Sequence, residues 1–174
     1  MLELIEQIEA NKCKKEPRLA SLYASLAKIY NHRLLNLPLV AHRQELLLAI
    51  EYYQKAIDTD TLPKNKSDLA KQAADLAKKL ADPLLQIQWM TTSYNLAKNP
   101  SNVDLYNLGR ACLDAGLYTK CDSVGNVYAA KYPTHTYGYY LRALANWRVD
   151  TTMELGSANP HFEKLIEVGA PDSV

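Results

Sequence analysis

The sequence predicts an all-α protein assembled from repeated helix pairs. Three observations carry that prediction. Apolar residues recur at spacings of three and four almost from end to end, with no strand-like alternation. The breaks between the periodic segments are short and rich in Pro, Asn, Ser, Asp and Gly. The pattern itself recurs with a period close to thirty-four residues, a repeat length that ordinary globular folds lack.

The elements follow in order. A first helix is expected over 1–12. Glu16-Pro17 opens a second over 17–35, with Leu19, Leu22, Tyr23, Leu26, Ile29 and Tyr30 on one face. Leu37-Pro38 opens a third over 38–59, where Leu46, Ala49, Ile50, Tyr53, Ala56 and Ile57 form the apolar stripe. A fourth spans 66–81, with Leu69, Ala73, Leu76, Ala77 and Leu80. Asp82-Pro83 starts a fifth over 83–98, because Asp caps a helix and Pro suits its first turn. Asn99-Pro100-Ser101-Asn102 introduces 102–115, Ala115-Gly116 separates it from 118–131, and Tyr132-Pro133 closes that helix. Helices over 136–149 and 155–168 complete the chain.

The repeat is clearest from Leu105 onward. Leu105, Leu108-Gly109, Gly116, Tyr118, Cys121 and Pro133 give a large residue, a Leu-Gly pair, a turn glycine, an aromatic, a small residue and a late proline. Thirty-four residues after Gly109 stands Ala143, again the small residue of a first helix, and Ala158, Phe162 and Leu165 follow on its second helix. Ala74 lies thirty-five residues before Gly109. Tyr23, Leu26-Ala27 and Tyr30, then Ala49, Tyr53 and Ala56, give the first repeat, with a connection about ten residues longer than the pattern. The small residues Ala27, Ala74, Gly109 and Ala143 are expected to let the two helices of a pair approach closely.

These residues resemble the tetratricopeptide-repeat family over about 17–168. One position departs from its pattern: Gly125 replaces the aromatic of the second helix. Tyr137-Gly138-Tyr139-Tyr140-Leu141-Arg142-Ala143-Leu144-Ala145-Asn146, then Asp150-Thr151-Thr152, then the segment from Pro160 to Glu167, look like a subgroup common in Bacteroidetes bacteria. The resemblance implies a single domain over 1–174, a right-handed superhelix of antiparallel helix pairs, an α-solenoid. Its approximate repeats are 17–60, 66–99, 102–133 and 136–168, with 1–12 as an N-terminal helix.

Composition limits the function. The net charge is +1, so no broad field favours nucleic acid or an acidic membrane surface. No apolar stretch is long enough to span a membrane, and the first twelve residues carry acids where a leader carries basic residues. The expectation is a cytoplasmic chain, or a periplasmic one from which a signal segment was removed. Cys13, Cys112 and Cys121 form no CxxC, and Cys112 and Cys121 read as neighbouring but reduced core fillers. His32, His42, His135 and His161 form no metal-ligating spacing, and no nucleotide-binding or hydrolase motif occurs. No catalytic residue, metal or cofactor is assigned, and the chain is read as not an enzyme.

The resemblance also places a partner-binding face on the first helices of the pairs. It would carry Lys28, Asn31 and His32, then Lys71 and Lys78 beside Asp75 and Lys79. Tyr106, Arg110 and Asp114 would follow, then Tyr140, Trp147 and Arg148. Basic residues outnumber acids there, which favours a partner with carboxylates, and Tyr and Trp would be its anchors. The family's two-carboxylate clamp is not carried over, because Ala24 with Lys28 and Lys71 with Asp75 stand at the comparable places. The leading function is an adaptor or scaffold that binds a peptide or partner domain on its concave surface. The alternatives are a non-catalytic accessory subunit of a bacterial enzyme or envelope complex, or a self-assembling structural module. The last helix carries Leu155, Ala158, Phe162, Leu165, Ile166 and Val168, more apolar positions than one packing face needs. It is therefore expected to make an end-to-end or homo-oligomeric contact.

Overall fold

A computed structural model describes residues 17–32 and 39–170. The expected helix over 1–12 and Cys13 lie outside them. The described residues form eight helices and no strand. These are α1 (Pro17–His32), α2 (Leu39–Thr59), α3 (Pro63–Lys79), α4 (Pro83–Leu96), α5 (Asn102–Asp114), α6 (Tyr118–Lys131), α7 (Thr136–Val149) and α8 (Asn159–Gly169). The chain divides into two compact units, residues 1–99 and 100–174.

In the first unit α1 packs on α2, α2 on α3, and α3 on α4. The contacts are made by small residues on helical spacing, so the axes can approach closely: Ala27, Ala49, Ala56, Ala70, Ala73 and Ala77 are fully buried. Tyr53, Leu46, Leu76 and Trp89 fill the space around them. The turn between α3 and α4 is closed by Ala81 in the left-handed region (φ 54°), and the Asp82 N–H reaches back to the Ala77 carbonyl at 3.1 Å. Asp82 then caps α4 by accepting the Leu85 N–H at 3.0 Å, with Pro83 in the first turn. Between α3 and α4, Ser67 and Ser93 are both buried and exchange hydroxyls. Ser67 Oγ donates to the Ser93 carbonyl at 3.0 Å, and Ser93 Oγ donates to the Ser67 carbonyl at 3.0 Å.

In the second unit α5 packs on α6 and α7, α6 on α7, and α7 on α8. A reciprocal capping box starts α5: Ser101 accepts the Asp104 N–H, and the Asp104 carboxylate accepts the Ser101 N–H at 3.0 Å. Gly116 (φ 74°) ends the same helix in the left-handed region. The place where Gly125 replaces an aromatic is explained by α7. A Cβ on Gly125 would lie 3.0 Å from the Gly138 carbonyl oxygen, so two glycines bring these helices together. Gly109 differs from its expected role. The nearest atoms to it belong to Leu141 on α7, the first helix of the following pair.

The last helix begins at Asn159, not at 155 as expected. Residues 150–158 instead form a turn held by Asp150, which is buried and accepts N–H groups from Leu155 (3.4 Å) and Ser157 (3.3 Å). Met153 (φ 59°) and Gly156 (φ 61°) turn the backbone there, and Pro160 takes the first turn of α8. Among the described residues, no helix is long and apolar enough to cross a membrane.

Candidate partner-binding surfaces

In the first unit a groove of about 560 Å³ runs over α1, α2 and α3. Lys28 and Asn31 come from α1, and Gln72, Asp75, Leu76, Lys78 and Lys79 from α3 and its end. Tyr53 on α2 forms part of the lining from below; its ring is buried and its hydroxyl donates to Gln72 Oε1 at 3.0 Å. Burial, reinforced by the nearby Asp75 carboxylate, pushes the Tyr53 phenol pKa up, so its hydroxyl remains a donor. Lys79 Nζ donates to Asn31 Oδ1 at 2.9 Å across the groove. Lys28 and Lys78 are exposed and have no ion-pair partner among the described residues. The groove thus combines a hydrogen-bonded base with ammonium groups on both walls.

Of the expected face in this unit, Lys28, Asn31 and Lys78 meet at the groove. Lys71 is exposed on α3 outside its lining, and the His32 side chain lies outside the description. Tyr53 and Gln72 were not foreseen at the surface. Helical spacing puts Tyr53 on the core stripe, and only the packing of α2 on α3 brings its hydroxyl to the groove.

In the second unit the expected residues have individual fates. Arg110, half-buried, is paired with the exposed Asp114 one turn away at 3.2 Å. Tyr106 packs its ring on Tyr137 at 4.9 Å, and Tyr137 continues to Tyr128, whose hydroxyl bonds His135 Nδ1 at 3.2 Å. Tyr140 is half-buried on α7. Trp147 is partly exposed, carries the Arg148 guanidinium 5.0 Å above its ring, and lines a pocket of about 280 Å³ with Leu144, Met153 and Phe162. Phe162 and Met153 come from outside the first helices and were not foreseen beside Trp147. A further polar group links α6 to α7: Asp122 Oδ1 accepts Arg142 Nε and Asn146 Nδ2, each at 2.9 Å. Cys112 and Cys121 are buried free thiols, as expected.

No protein-family model and no curated relative matches the sequence. Solved structures do. The C-terminal part of a TPR repeat-containing protein from Cytophaga hutchinsonii superposes with a TM-score of 0.56 at 27% identity, over 95% of this chain and 72% of that one. MamA from Desulfovibrio magneticus matches with a TM-score of 0.52 at 19% identity, over 86% and 75% of the two chains. YrrB, described as a TPR protein with an unusual peptide-binding site, matches with a TM-score of 0.53 at 16% identity, over 98% and 85%. The last two likenesses speak to the fold alone.

Proposed function

This chain is a helical-repeat protein of the tetratricopeptide type, similar to the Cytophaga hutchinsonii protein, and we propose that it serves as a non-catalytic adaptor holding an acidic peptide segment of a protein partner in the first unit's groove. The observation that carries the reading is the groove wall itself. Lys28 and Lys78 line the groove with Tyr53 and Gln72 and form no ion pair among the described residues, and with Lys79 they outnumber the carboxylate of Asp75 in the same lining. Ammonium groups held on opposite walls of a cleft recruit carboxylates and reject basic segments. The floor offers the Tyr53 hydroxyl oxygen as an acceptor and the second Gln72 amide hydrogen as a donor for a peptide backbone.

Selection from a random-peptide display library tests this. Recovered peptides should be enriched in Asp and Glu around an apolar residue. A Lys28→Glu, Lys78→Glu double variant should lose that enrichment while keeping its helical circular dichroism. Neutral or basic peptides as the main product, or an unchanged acidic selection by the double variant, would refute the reading.

A further inference from the structure

The pocket at Trp147 has a rim unlike ordinary surface. Trp147 is 38% exposed, Met153 65% and Leu155 84%, so bulky apolar side chains project into water around an apolar cavity. Met153 is also held in the left-handed backbone region, which non-glycine residues rarely adopt. Leu155 stands beside the rim without lining it, since Met153 and Gly156 close to it in the chain belong to the pocket wall. Two opposite charges stand among these side chains: Arg148, stacked on the Trp147 ring, and Glu154, exposed between Met153 and Leu155. Neither has an ion-pair partner among the described residues.

We propose that this face binds a second copy of the chain in a two-fold symmetric contact. Leu155 of each copy enters the other's pocket against Trp147 and Phe162, and Arg148 pairs with Glu154 of the partner subunit. The argument for a second copy is self-complementarity. A two-fold contact requires each feature of a patch to find its complement on the same patch. This one supplies a cavity and a protruding leucine, an unpaired guanidinium and an unpaired carboxylate. A foreign partner would need only one member of each pair to be present. The net charge of +1 adds no general repulsion between copies. The contact is independent of the peptide groove, so either proposal can fail without the other.

Sedimentation equilibrium across a concentration series, on the full chain, reads the outcome. The wild type should shift from 19.6 kDa towards twice that mass as concentration rises. Leu155→Asp and Arg148→Glu should each weaken dimerisation by about tenfold or more, since one loses the apolar insertion and the other opposes two carboxylates. The exchange Arg148→Glu with Glu154→Arg should restore most of the wild-type affinity. All three alter exposed positions, and circular dichroism checks that each remains folded. A wild-type mass of one chain at every concentration overturns the proposal. So does a dimer indifferent to Leu155→Asp, or a charge exchange that fails to rescue Arg148→Glu.

Discussion

Gly138 on α7 rests directly on the backbone of Ala129 on α6: a Cβ at Gly138 would lie 2.6 Å from the Ala129 amide nitrogen. In an isolated helix, replacing glycine by alanine gains about 1 kcal/mol. Here the obstacle is backbone, which cannot rotate away, and overpacking of this kind costs about 1–3 kcal/mol. Gly138→Ala should therefore destabilise the second unit despite its better helix propensity. Thermal unfolding followed by circular dichroism decides the sign.

The buried thiols should be chemically silent. Burial, with Cys112 and Asp122 nearby, pushes the Cys121 pKa from an ordinary 9.0 to about 12, and burial raises that of Cys112 as well. In a Cys13→Ser background, a disulfide reagent at pH 8 should find no fast-reacting thiol until denaturant is added. The same shift has a consequence for stability. The unfolded thiol ionises near pH 9 while the folded one holds its proton to about 12, so stability is intact below pH 9 and declines above it. Urea unfolding between pH 8 and 10.5 should show that decline.

Asp122 Oδ1 accepts from two side chains at once, Arg142 and Asn146. Asp122→Ala removes one bond from each donor, leaving Arg142 on Asn126 and Asn146 on the Arg142 carbonyl, and should cost roughly 1–2 kcal/mol. Asp122→Asn keeps the acceptor and should recover part of the loss. Denaturant midpoints of the two variants provide the comparison.

The His161 pKa is lowered, first by burial and then by the Arg142 guanidinium, with Asp122 acting in the opposite direction. A depressed histidine contributes stability that is present above the unfolded pKa of about 6.5 and is lost as pH falls through the folded value. His161→Asn should flatten the stability profile below pH 6.5. NMR titration should find the His161 pKa below 6.5, and lower still in Asp122→Ala.

Much of the fold could be read from spacing because helical periodicity and end signals are local properties. Asp82-Pro83, the Asn99-Pro100-Ser101-Asn102 run and Gly116 mark helix ends in the sequence and do so in the structure, through hydrogen bonds formed within a few residues. The start of α8 was misplaced because apolar Leu155 and Ala158 continue the pattern. The turn is decided by the long reach of the Asp150 carboxylate, which no periodicity encodes. The surfaces were less legible for the same reason. Lys28 and Lys78 can be projected from one helix each, but Tyr53 and Gln72 meet only once α2 packs on α3. Arg110 on the expected face is already engaged, because Asp114 lies one turn away at the i,i+4 spacing that pairs opposite charges on a helix.

The crossed serines of α3 and α4 act as a registration key. Each hydroxyl satisfies the other helix's backbone carbonyl, so the two bonds form together or not at all. Sliding α4 by one turn would break both bonds and send each hydroxyl back to a carbonyl of its own helix, at a cost of about 0.5–1.5 kcal/mol per bond lost. Alanine-rich faces such as Ala70, Ala73 and Ala77 are nearly smooth and would tolerate several alignments. Two small polar atoms thus choose one alignment from many that greasy contact alone would leave almost equivalent.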